Sequence, residues 1–287
     1  ERPGAGDDTR HWGPPFVTDA RGANRDAAYY HSTNRGKTSR AIDITTPAGQ
    51  AEVRALVADA DVMIENYKVG ALARYGLDAG SLRAADPRLI VASITGFGQT
   101  GPYAHRAGYD FIIQGMSGFM SLTGEPDGAP QKAGIAYADI FTGTYTAVAI
   151  LSALLRRHET GTGAHIDMAL LDTQVGVLAN QALNWMASGK VPHRMGNGHA
   201  NVVPYQAFET CDGELIVAVG NDRQFAKLCE ILGTPHGSDP RFIENSGRLA
   251  HRAELIADLT VAIRQWKKAD LADALEAGGI PAGPINS

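Results

Sequence analysis

Apolar residues between positions 46 and 119 fall into blocks whose period switches between that of a helix and that of a strand. TPAGQAEVRALVADA, at 46–60, has a Thr46 or Pro47 start signal and apolar residues at helical spacing. DVMIEN, at 61–66, reads as a short buried strand. ALARYGLDAGSLRAADP is helical with a break, and LIVASITGFG is a β-branched strand ending in glycines. A helix over 110–119 follows. From Ile140 to Leu155 no residue is charged, which predicts a buried helix of about five turns beginning at Asp139. Arg156, Arg157 and His158 close it, as cations suit a helix C-terminus. Thr, Gly and Tyr interrupt it, so it is not expected to span a membrane. AHIDMALLDTQVGVLANQALNWMASG, at 164–189, reads as a short strand running into one long helix. Such alternation predicts parallel βαβ units.

The texture changes after Gly189. VPHRMGNGHANVVP is loop-like, ELIVAVG is a strand after a turn, and DRQFAKLCEILG, AHRAELIADLTVAIRQW and KADLADALEAGG are helical. The expected organisation is α/β: a large domain over 1–190, a linker or loop at 191–200, and a smaller α+β domain over 201–287. The 287 residues leave room for roughly two domains. A net charge of −5 leaves no nucleic-acid footprint. Two cysteines, Cys211 and Cys229, make neither a disulfide framework nor a zinc site, and Cys229 on its helix reads as a core thiol. A reducing, cytoplasmic compartment fits, although targeting is not readable because the sequence starts at Glu1 rather than Met.

Two features carry candidate chemistry. Asp139 stands at the mouth of the apolar helix, where it suits either an N-cap or a rigidly held, ionised nucleophile. Gly96, Gly98 and Gly101 in TGFGQTG have the G-x-G-x-x-G spacing of a dinucleotide site. That fingerprint needs a helix to open there, and Pro102 with YAHRAGYD gives none, so a glycine-rich turn beside an active site fits better.

Several stretches together resemble the family III CoA-transferases: ERPGAGDDTR at 1–10, NRGKTSRAIDI at 34–44, ADVMIENYKVGALARYGL at 60–77 and ITGFGQTGPYAHRAGYD at 94–110, then YADIFTG at 137–143, HETGTGAHIDMALLD at 158–172 and GIPAGPI at 279–285. The resemblance implies a Rossmann-like large domain, a small α+β domain and an interlocked homodimer. It implies a transferase that takes acyl-CoA and a free carboxylic acid, with no tightly bound cofactor, metal, nucleic acid or membrane partner. Asp139 matches the family nucleophile, which forms a mixed anhydride and then an aspartyl-CoA thioester. Tyr109 and Asp110 match residues of the acyl side. Arg2, Ile42, Asn66, Tyr67, Arg74, Tyr75 and Arg106 match CoA contacts. Read alone, the same positions serve as surface arginines, core residues or, for Asp110, a cap of the next helix. Thr45 replaces a CoA-contacting Lys of the family.

MGNGHANVVPYQ, at 195–206, lies where some members carry a glycine-rich loop over the active site; an interdomain linker is the other reading. The segment is similar to that of members handling dicarboxylates. The family has a strand–helix unit before ERPG and a return segment after GIPAGPI, both expected to lie outside this sequence. Two rival classes stay open. One is α-methylacyl-CoA racemase, whose AGHD motif is AGYD here, with Tyr109 in place of its basic His. The other is a CoA-binding scaffold without turnover.

Overall fold

The computed structural model describes residues 1–19, 21–22 and 25–286. The chain forms two compact units, Glu1–Ser117 with Gly134–Val177, and Gly118–Ala133 with Leu178–Ser287. The division between the units falls at Val177, ahead of the change in sequence texture at Gly189, and a second-unit segment is inserted between Ser117 and Gly134. Both units mix helices with β-sheet.

In the first unit, β1 (Phe16–Thr18) pairs antiparallel with β2 (Arg25–Ala27), followed by α1 (Ala28–Asn34). Arg10 fastens this corner, donating to the Glu1 carboxylate, Asp26 and the Tyr30 hydroxyl at 2.7–2.8 Å. Helix α2 (Pro47–Ala58) starts as the sequence predicts: Thr46 Oγ1 accepts from Gly49 N at 3.1 Å and Pro47 takes the first position. β3 (Val62–Glu65) follows, then a 3-10 turn at Ala73–Tyr75 and α3 (Ala79–Ala85), capped by Asp78. β4 (Ile90–Thr95) leads into a long loop and α4 (Asp110–Met116). After α5 (Phe119–Leu122), which belongs to the second unit, come α6 (Tyr137–Thr160), β5 (His165–Ala169) and α7 (Leu170–Gly176).

Strands β3, β4 and β5 make a parallel sheet with β4 in the centre, Ala92 lying opposite Ile64 and Ile166. The central strand is buried on both faces, which is why it reads as a continuous apolar run. Val91 packs with Leu72, Leu77 and Leu82 on one face. Ile94 and Phe97 pack with Ile113, Ala138 and Leu170 on the other. The carboxyl ends of all three strands face one edge, where open α/β sheets hold ligands.

Helix α6 departs from expectation in two ways. It begins at Tyr137, so Asp139 is its third residue, and its N-cap Ala136 offers no side-chain bond. Nor is it buried: Val148, Leu151 and Leu155 form an exposed stripe, with Leu155 73% exposed. By length and composition alone it is apolar enough to cross a membrane, with a mean hydropathy of 1.5. The expected helix after β5 is also two helices, broken at Val177–Leu178, where Ala179 takes a positive φ of 47°.

In the second unit, α8 (Ala179–Ser188) precedes β6 (Tyr205–Thr210), β7 (Gly213–Ala218), α9 (Asp222–Leu232), α10 (Asn245–Ala250), α11 (Arg252–Ile263), α12 (Lys268–Ala277) and β8 (Ala282–Pro284). The sheet runs β6–β7–β8, antiparallel throughout. Leu215 and Val217 on its inner face meet Phe225, Leu228, Cys229, Leu255, Leu259 and Leu271. Fully buried Arg248 ties this core to its loops, donating to the carbonyls of Val203, Phe242 and Ile243 and pairing with Asp222 at 2.7 Å.

Candidate active site

Two glycines bring the chemistry to the end of β4. Gly96 and Gly108 touch backbone to backbone: a Cβ on either would lie 2.5 Å from the other's Cα. The turn after β4 and the turn before α4 therefore close on each other, and Tyr109 and Asp110 emerge beside the sheet edge. No helix opens at Gly96, Gly98 or Gly101, whose loop runs on to Asp110. This is the glycine-rich turn the sequence indicated, without the geometry of a dinucleotide fingerprint.

Asp110 does not cap its own helix. Its Oδ1 accepts from the backbone N–H groups of Ala138 (2.8 Å) and Asp139 (3.3 Å), and Oδ2 accepts from Gln114 Nε2 at 2.6 Å. It thus supplies, from α4, the capping oxygen that Ala136 cannot give α6. Asp139 is relieved of that duty. Among the described residues its carboxylate accepts no hydrogen bond. Partial burial, and secondly the Asp110 charge, push its pKa up to about 6. One carboxylate is locked by three donors and its neighbour is open and unpartnered. Environments that differ this way assign different roles to two like groups.

Tyr29, on α1, is a residue that sequence reasoning missed. Its hydroxyl is held above the ordinary phenol range, by burial first and then by the charges of Asp139 and Asp110. Its ring lies 5.1 Å from that of Trp12. Nothing in the spacing of AAYYHSTN singles it out, since only the fold brings α1 to α6. Tyr109 also borders the carboxylates in sequence and is 69% exposed.

The residues matched to CoA contacts occupy exposed loops of the same unit. Asn66 and Tyr67 follow β3 directly, with Tyr67 N donating to Glu65 Oε2 at 2.8 Å. Arg74 lies over the Tyr75 ring at 4.8 Å, while Tyr75 packs into the apolar cluster under α3. Arg106 lies over the Tyr103 ring at 4.7 Å. Among the described residues neither Arg74 nor Arg106 forms an ion pair, leaving both guanidiniums available to an anion. Arg2 differs: it pairs with Asp8. Ile42 is half-buried, its N–H donating to the Glu1 carbonyl at 3.0 Å. The segment 195–206 belongs to the second unit, where Asn201 and His199 are engaged internally. Asn201 bonds Asn180, Asn184 and Asn245, and His199 N–H donates to the Tyr205 carbonyl at 3.0 Å.

Among the described residues, a carboxylate that accepts no hydrogen bond thus stands beside a fixed one near the carboxyl edge of a parallel sheet, in a unit whose Arg74 and Arg106 form no ion pair. The family model described as CoA-transferase family III matches residues 1–287. The chain belongs to that family and is a CoA-transferase. It is 58% identical over 288 residues to succinate–glutarate CoA-transferase of Agrobacterium fabrum, covering all of this chain and 72% of the relative. It is 44% identical to succinyl-CoA:glutarate CoA-transferase of Mus musculus, covering 65% of that protein. A crystal structure of a CAIB/BAIF family protein from Brucella suis superimposes with a TM-score of 0.85 at 58% identity, over all of this chain and 75% of that one.

Proposed function

We propose that the protein moves CoA from an acyl-CoA to a free dicarboxylic acid through an aspartyl-CoA thioester on Asp139. The observation that carries this reading is the asymmetry of the two carboxylates: Asp110 is held by Gln114 and the α6 N-terminus, and the Asp139 carboxylate accepts no hydrogen bond among the described residues. The open oxygen attacks the thioester carbonyl, giving a mixed anhydride and releasing CoA thiolate. The thiolate attacks the Asp139 carbonyl of the anhydride and expels the donor acid as a carboxylate. The acceptor carboxylate attacks the aspartyl thioester, forming a second mixed anhydride and releasing CoA thiolate, which then attacks the acceptor's acyl carbon and expels the Asp139 carboxylate. The positive end of the α6 dipole suits the oxyanions formed on the way, and the Tyr29 hydroxyl is a further donor within reach of the same charges. Arg74 and Arg106 supply cations for the CoA phosphates, and Asn66 and Tyr67 line the edge of the sheet. The parallel sheet with its flanking helices is read as the Rossmann-like part of the fold. The glutarate and succinate in the names of the relatives support a dicarboxylate as the acid.

Hydroxylamine trapping during turnover of the full-length enzyme tests the proposal. The peptide containing Asp139 is expected to carry a hydroxamate, and Asp139→Ala is expected to bind CoA but transfer none. Substantial transfer by a folded Asp139→Ala variant would sink the assignment.

A further inference from the structure

The second unit contains a cavity of about 250 Å³ that the chemistry above does not use. Pro126, Met195, Ala253 and Ile256 form its apolar wall, and Arg194, Gln206 and Arg252 its polar side. Gly198 is the key to its shape. A Cβ there would stand 3.1 Å from the Met195 carbonyl oxygen, 3.6 Å from Arg252 Nη1 and 3.8 Å from Gln206 Oε1, so one guanidinium donor and two acceptors converge on the point that the glycine leaves open.

The two arginines that line the cavity have donors to spare. Arg252 uses Nη2 on the carbonyls of His199 (2.8 Å) and Ala200 (3.2 Å). Arg194 uses Nε on the Glu125 carbonyl at 3.2 Å. Among the described residues, the other guanidinium nitrogens and the Gln206 amide have no hydrogen bond, and neither arginine has an ion pair. Burial alone lowers the Arg252 pKa, with no carboxylate to offset it. Glu254, the one acid in the first turn of α11, is paired with Arg241 at 2.8 Å. A half-buried guanidinium without a counter-ion is costly, and an anion that accepts two parallel bonds removes that cost. The apolar wall and the volume fit a chain of a few methylenes behind the anionic group.

We infer that this cavity binds a short aliphatic carboxylate, held by Arg252 and Arg194 with its methylenes against Ile256 and Met195. None of these residues has a part in the chemistry assigned to Asp139, and comparing wild type with Asp139→Ala separates the inference from the proposed reaction.

Phenylglyoxal modification of the full-length enzyme, read peptide by peptide, tests it. Glutarate is expected to slow modification of Arg194 and Arg252 at least fivefold and saturably, equally in wild type and in Asp139→Ala, and its dimethyl ester is not. Ala253→Phe, at an exposed position on the wall, is expected to abolish the protection while leaving both arginines reactive. Absence of protection by glutarate overturns the inference. So does equal protection by inorganic phosphate, which would show a general anion site, or protection that survives Ala253→Phe.

Discussion

At the scale of single residues, the Asp139 carboxylate carries a measurable signature. Its folded pKa of about 6 lies above the 3.8 of an ordinary aspartate, so the folded chain binds a proton more readily than the unfolded one between those values. Its ionisation therefore costs stability as pH rises from about 4 to about 6, and that cost persists at neutral pH. Asp139→Asn is expected to remove the cost. The gain should be on the order of 1 kcal/mol at pH 7 after screening at this open site, and absent at pH 4. Chemical denaturation at the two pH values checks this; an equal effect at both would contradict it. The same ionisation makes the nucleophile of the proposed reaction, so kcat/KM should fall as pH drops below about 6. Asp110→Asn keeps an oxygen for the α6 N–H groups but loses the charge. Its acid limb should move to lower pH, by less than the whole shift because burial is the larger cause. A pH profile of that variant unchanged from wild type would mean that the two carboxylates do not interact.

At the scale of elements, the contact between the turn after β4 and the turn before α4 decides whether the carboxylates meet. In Gly108→Ala the new Cβ faces the Gly96 backbone, which cannot swing aside as a side chain can. The substitution should destabilise the first unit by about 1–3 kcal/mol and lower turnover beyond what the lost stability explains, seen as a reduced kcat at temperatures where the protein remains folded. Elements with strong local signals were legible in the sequence. Thr46–Pro47 opens α2, and the β-branched run LIVASIT is the central strand. Strands β6 and β8 were not legible, since YQAFET has weak alternation and AGP has no strand propensity; each exists because β7 offers it a partner. The cap of α6 was misplaced for a related reason. Sequence proposes the nearest Asp, whereas the capping oxygen arrives from Asp110 on another helix, which only tertiary structure provides. Asp139 itself stood out through its isolation before sixteen uncharged residues, and Tyr29 did not, because no local pattern foretells that α1 reaches α6.

At the scale of the whole molecule, α6 leaves an apolar stripe uncovered. Tyr145, Val148, Leu151 and Leu155 lie on it, and each such side chain gains roughly 1.5–3 kcal/mol when removed from water. A stripe of that kind on the helix that carries Asp139 calls for a cover. We propose a second copy of the chain, as the interlocked homodimer of the family resemblance implies. Interlocked chains part only by unfolding, and their dissociation should not respond to dilution. Two differently tagged full-length dimers mixed under native conditions should give no mixed species over hours, and should mix after unfolding and refolding. Leu151→Lys should shift the protein toward monomer or aggregate while leaving the second unit folded, because it places a charge on the stripe without touching either core. Mixed dimers within minutes would refute interlocking. A monomeric, fully active wild type would refute the cover itself, and neither result would alter the role of Asp139.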